Sequence, residues 1–156
     1  MPSDLQALRA QEMLAQRFDV AADVWSVTSY QQLRNEALAC ERWNRLHAGE
    51  TPRLPYVTRM LASAPGPVVA VSDFMKAVPD MVSRWIPNPF TPLGTDGFGR
   101  SDTRQALRRF FEVDAEHIVV ATLAALAREG RVPSGIVDQA VQEFGLDPEG
   151  AEPRVT

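Results

Sequence analysis

The sequence predicts an α/β fold with helices layered on a mainly parallel sheet, and three observations predict it. Helical and strand-like stretches alternate through residue 95, the compact apolar run Val68–Val71 reads as a fully buried strand, and a glycine-rich run follows a strand and precedes a helix. With 156 residues, 45% hydrophobic and 23% charged, the chain has the arithmetic of one globular domain with a sizeable core.

Each element follows from local pattern. Ala7, Ala10, Leu14 and Phe18 return at helical spacing, with Leu5 and Met13 beside them and Ser3 or Asp4 available as cap. Val20 to Val27 carries Val24, Trp25 and Val27, which suit a pleated strand. Ser29 caps a second helix through Leu33, Ala37, Cys40, Trp43 and Leu46, ending at Ala48 and Gly49. Thr51 to Pro55 is held extended by two prolines, and Tyr56 to Ala62 is a short helix.

After Val68–Val71, Ser72 or Asp73 caps an expected helix from Phe74 to Trp85, with Pro79 as a bend or restart. A brief strand is expected from Thr91 to Gly94. Thr103 to Phe111 then reads as a short helix. Asp114 caps a long one ending at Gly130, and Pro133 opens the last, with Gly145 as its terminator. The tail after Asp147 is polar and is expected to fray.

Composition narrows the function. Sixteen basic against twenty acidic residues give a net charge of -4, which disfavours phosphate neutralisation on a nucleic acid. The lone cysteine, Cys40, forms no intrachain disulfide, and no stretch of about 18 apolar residues suggests a membrane span. A cytoplasmic setting with no nucleic-acid and no membrane partner is expected.

Candidate chemistry is sparse. His47 and His117 lie on separate expected helices without ligand-spaced partners, so no metal site is expected. His47 suits a helix C-terminus and His117 a surface or interface position. A Cys40–His47 dyad would span two helical turns, roughly 10 Å, beyond hydrogen-bond reach. The run Gly94, Thr95, Asp96, Gly97, Phe98, Gly99, Arg100, Ser101 and Asp102 matches neither glycine-rich phosphate motif. It is instead a candidate interface or site-facing loop at the carboxyl end of a strand. Arg100, Arg104, Arg108 and Arg109 crowd the helix behind it, and Asp96 and Asp102 are available to pair with them. No catalytic, cofactor-binding or metal-binding residue is assigned.

Leu93 to Arg104, followed by Leu107 to Ala115, closely resembles the C-terminal domain of the bacterial homodimeric pyruvate dehydrogenase, the thiamine-dependent first component of its complex. Ala22–Ser29, Glu41–His47, Glu50–Arg53 with Pro55–Val57, and Ser72–Met75 resemble further motifs of that family, and the likeness runs in one order from Leu8 to Pro153. The resemblance implies a transketolase C-terminal fold, a three-layer α/β/α sandwich around a mixed sheet. On that likeness, a first edge strand that opens the domain in relatives is expected to be missing here.

On this reading residues 1–3 are foreign, 4–147 form the domain and 148–156 are a polar tail. The resemblance further implies thiamine diphosphate and magnesium in the full-length subunit but none in this chain, where Gly-Asp-Gly followed by Asn-Asn is absent. It also implies partners: the remaining domains of the subunit, a homodimer mate and the other components of the complex. The chain itself is expected to be non-catalytic, serving the dimer interface and subunit architecture, with docking of another component or a regulator as the alternative.

Overall fold

A computed structural model describes residues 2–155. The helices are α1 (Pro2–Phe18), α2 (Tyr30–Leu46), α3 (Tyr56–Leu61), α4 (Ala77–Asp80), α5 (Arg104–Phe110), α6 (Ala115–Arg128) and α7 (Gly135–Glu143). Strands β1 (Val68–Val71) and β2 (Phe90–Leu93) form a two-stranded parallel sheet, with Val68 opposite Phe90 and Val71 opposite Leu93. Single 3₁₀ turns occupy Ser83–Trp85 and Pro153–Val155. None of the described helices is long and apolar enough to cross a membrane.

The core lies where α6 meets α1, α7 and the sheet. Ala10 and Leu14 of α1, Ala115, Val119 and Leu123 of α6, and Ala140 of α7 are buried together. Val69 and Val71 pack against this cluster from β1 and Leu93 from β2. Alternation along β1 turns Val69 and Val71 to α6 and the buried Ala70 to the opposite face. Pro92 is compatible with β2 because, among the described residues, that strand is paired on one side only.

Several helix ends follow the expected chemistry. Ser29 Oγ accepts from the Gln32 N–H at 3.2 Å, Thr103 Oγ1 from Ala106 at 3.2 Å, and Asp114 Oδ1 from His117 at 3.0 Å. Gly130 (φ +69°) and Gly145 (φ +61°) take the left-handed conformation just past α6 and α7. Ser3 and Asp4 lie inside the first turn of α1 rather than capping it, since the helix already begins at Pro2.

Three expectations are corrected. Val20 to Val27 forms no strand: the Val20 N–H turns back to the Leu14 carbonyl at 3.1 Å, and Gln11 Nε2 donates to the Ala22 carbonyl at 2.6 Å. No neighbouring backbone supplies a ladder among the described residues, so β-propensity has nothing to pair with. The helix expected from Phe74 to Trp85 is reduced to α4 and a 3₁₀ turn, because the backbone of Phe74 and Lys76 is bonded to the glycine-rich loop instead. The tail docks rather than frays, with Pro153 buried against Gly97.

Candidate functional site

Because β1 and β2 run parallel, their carboxyl ends open on the same side and bring two loops together. The loop after β1 contributes Ser72 to Lys76 and the loop after β2 contributes Gly94 to Asp102. The Ser72 N–H extends the ladder to the Leu93 carbonyl at 2.9 Å, and its buried hydroxyl accepts from the Phe74 N–H at 3.0 Å. Thr95 then fastens the two loops twice, its N–H donating to the Phe74 carbonyl at 2.9 Å and its hydroxyl to the Asp73 carbonyl at 3.0 Å. The Lys76 N–H donates to Asp96 Oδ2 at 3.1 Å.

Glycine is required at two points of this clasp. A Cβ on Gly94 would lie 2.5 Å from the Phe74 carbonyl oxygen and 2.8 Å from the Lys76 nitrogen, so any side chain there would force the loops apart. Gly97 has φ +119°, a conformation that L side chains resist, and its open side faces the Pro153 carbonyl. The tail is thereby seated beneath the loop. Beyond Gly97 the loop is exposed, and Phe98, at 78% exposure, projects from its tip.

The other residues of the run divide by what they touch. Asp102 accepts from the Thr103 N–H at 2.7 Å, at the start of α5. Gly99, Arg100 and Ser101 are exposed, and the Arg100 guanidinium lies 4.3 Å from the centre of the Phe110 ring. The ion pairs envisaged between Asp96 or Asp102 and the arginines do not form: Asp96 is taken by backbone, and Arg109 turns instead to Asp114, Nε to Oδ2 at 3.2 Å.

Asp114 is the most heavily used carboxylate here. It caps α6, accepts from His117 Nδ1 at 2.6 Å and holds Arg109. Burial pushes its carboxyl up, but hydrogen bonds from the His117 ring and backbone, with the charges of His117 and Arg109, outweigh that and hold it below the ordinary aspartate value. The Asp-x-x-His spacing is the signal that would have joined His117 to its cap. His117 thus gains a definite role, bracing the Asp114 cap within the first turn of α6, while the Arg109–Asp114 pair ties that turn to the end of α5.

Cys40 and His47 are not brought together. Burial, followed by a 3.3 Å hydrogen bond to Glu36 Oε1, pushes the Cys40 thiol up, which makes it a poor nucleophile. His47 bonds through Nδ1 to the Trp43 carbonyl at 2.8 Å and stacks on the Trp43 ring at 4.3 Å, while Arg53 covers that ring at 3.9 Å. Asn44 locks the Arg53 backbone with two hydrogen bonds of 2.8 and 3.0 Å. Sequence reasoning missed this stack: Trp43 and His47 are four residues apart at the end of α2, but Arg53 reaches the ring from beyond the loop that carries Pro52.

Among the described residues no group of three or more His, Cys, Asp or Glu side chains could hold a metal ion. The two loops of the clasp carry three carboxylates, Asp73, Asp96 and Asp102, which form no metal-ligating group among the described residues and of which the last two accept from backbone, so the set does not fit a magnesium-bound diphosphate.

Comparison with known proteins places the chain. Pyruvate dehydrogenase E1 component of Mycolicibacterium smegmatis is 50% identical over 142 residues, 91% of this chain and 15% of the relative. The Mycobacterium tuberculosis protein of the same name is 49% identical over 150 residues, 96% of this chain and 16% of the relative. That of Escherichia coli is 44% identical over 147 residues, 94% of this chain and 16% of the relative. The chain therefore spans less than a fifth of the length of these relatives, in their C-terminal part. Residues 5–114, which include both strands and the clasp between their loops, match the family described as the transketolase-like TK C-terminal domain, and to that family this chain belongs.

Proposed function

We infer that the chain serves as the C-terminal domain of a pyruvate dehydrogenase first component, in which it builds subunit architecture and the dimer interface rather than performing chemistry. The observation that carries this reading is the extent of the match: 91–96% of the chain corresponds to only 15–16% of proteins named for that activity. Thiamine diphosphate, when bound by such a subunit, supplies the carbanion chemistry of oxidative decarboxylation with acetyl transfer to a lipoyl group. The residues of this chain do not provide its site, so the cofactor and magnesium belong to other parts of the subunit. A cytoplasmic location accords with the reading.

The partners are the rest of the subunit, a homodimer mate and the other components of the complex. The Gly94–Asp102 loop is the element offered to them, because the clasp fixes its base while Phe98 and Arg100 remain exposed. Titration of the chain with thiamine diphosphate and magnesium by calorimetry, paired with its mass by light scattering, tests this. No heat of binding is expected; a saturable heat with micromolar affinity would overturn the non-catalytic reading. A second reading, docking of another component or a regulator, is favoured by the arginines from Arg100 to Arg109. It predicts salt-sensitive capture of the second component of the complex, and capture indifferent to salt, or none, removes it.

A further inference from the structure

The exposed side of the loop is one wall of an open groove of about 530 Å³, and α5 is the other. Its apolar lining comprises Phe98 on the loop and Leu107, Phe111 and Val113 on the α5 side. Its charge comes from Arg100, Arg104 and Arg108. Arg104 and Arg108 are four residues apart on one helix, so their stems rise from the same face about 6 Å apart. Neither has an acidic partner among the described residues, whereas the adjacent Arg109 is paired with Asp114.

The loop adds donors of its own. The backbone N–H groups of Phe98, Gly99 and Arg100 form no hydrogen bond among the described residues, and a Cβ on Gly99 would meet nothing within 4 Å, so a ligand atom could approach that backbone closely. Asp73 is the one carboxylate on the wall, set against three guanidiniums. The volume falls in the range of small-molecule sites, and the lining, apolar side chains beside three arginines and one carboxylate, selects an anionic head on an apolar body.

We propose that this groove binds a small amphipathic anion, a phosphate or carboxylate carried on an apolar group, with Arg104 and Arg108 holding the anion and Phe98, Leu107 and Phe111 covering its body. This assignment stands on the groove itself and does not depend on the subunit's reaction; a partner seated on the Gly94–Asp102 loop would compete with the ligand for Phe98 and Arg100. A free carboxylate metabolite and a phosphate ester present the same chemistry, and probes of each kind distinguish them.

The test is a nuclear magnetic resonance titration of the whole chain with 1-naphthyl phosphate, 1-naphthoate, inorganic phosphate and the neutral 1-naphthol. The first, the second or both should saturate, shifting the amides of residues 97–100 and the Arg104 and Arg108 side chains, and the tighter of the two names the preferred head. Inorganic phosphate and 1-naphthol should each bind at least about tenfold more weakly, since each lacks one half of the contact. The double variant Arg104→Gln, Arg108→Gln should lose at least about tenfold in affinity, while Arg45→Gln on α2 should lose none. Should the double variant fail to fold, raising the ionic strength about threefold on the unaltered chain must still weaken binding. Shifts spread over the whole surface, equal binding of 1-naphthol, equal binding of inorganic phosphate, or affinity indifferent to both salt and the double variant would each overturn the proposal.

Discussion

Val20–Val27 and Val68–Val71 both carry three valines and both read as strands in the sequence, yet only the second is one. Val68–Val71 has Phe90–Leu93 beside it in parallel register and α6 across its face. Val20–Val27 has Val20 and Ala22 against the core but leaves Val24, Trp25 and Val27 exposed, and no strand lies alongside among the described residues. The difference teaches that β-propensity describes how well a side chain fits a pleated, half-buried surface. The surface itself must come from another segment.

The sharpest way to break this comparison is to disturb what makes one region a core. Leu123 on α6 is fully buried. Leu123→Ala should cost about 2–5 kcal/mol, read as a lowered denaturant midpoint with unchanged slope. A loss near zero would mean that the α1–α6–α7 cluster does not hold the fold.

Gly94→Ala ranks next, because its Cβ would press on the backbone of both Phe74 and Lys76. We expect a loss of about 1–3 kcal/mol, with exchange of the Thr95 and Lys76 amides accelerated first. If the stability loss appears without that local acceleration, the clasp is not where the strain is felt.

Asp114→Ala should cost about 1–2 kcal/mol through the lost cap alone. It also removes a pH dependence whose sign is fixed. The carboxyl is depressed in the folded state below its ordinary value of 3.8, so its stabilisation is present above that value and is lost as pH falls through the lower folded value. Acid titration of stability should therefore be flatter below about pH 4 in the variant than in the parent. A parallel pair of curves would mean that Asp114 titrates alike folded and unfolded.

The smallest effect belongs to the unpaired segment. Trp25 is 56% exposed, and Trp25→Ala should change the stability of the chain by no more than about 0.5 kcal/mol. The amides of residues 23–27 should exchange well before that of Ser72, which is bonded across to Leu93. Slow exchange at residues 23–27 would show that this segment finds a strand partner in solution, such as a second copy of the chain, and would erase the contrast with β1.

Reading from residues to fold worked where the cause is local. The Ser29 and Asp114 caps, the Gly130 and Gly145 stops and the apolar face of α6 were all legible, because each rests on side chain and backbone within one or two turns; Thr103, read as the first residue of its helix, proved to be its cap. The Gly94–Asp102 run was also legible as a special loop. What it touches was not: Asp96 was as free on paper to meet an arginine as to meet the Lys76 amide, 20 residues away.

The sequence by itself determined most of the helices, the strand Val68–Val71, the Ser29 and Asp114 caps, the absence of any disulfide within the chain and the family that the motifs carry. Only the tertiary structure decided that Val20–Val27 stays unpaired, that Phe74 gives its backbone to Thr95 rather than to a helix, and that Pro153 settles on Gly97. The physical reason is common to all three. A backbone hydrogen-bonding group must be satisfied by whichever partner the whole fold brings within about 3 Å, and a sequence states its donors and acceptors without stating their neighbours.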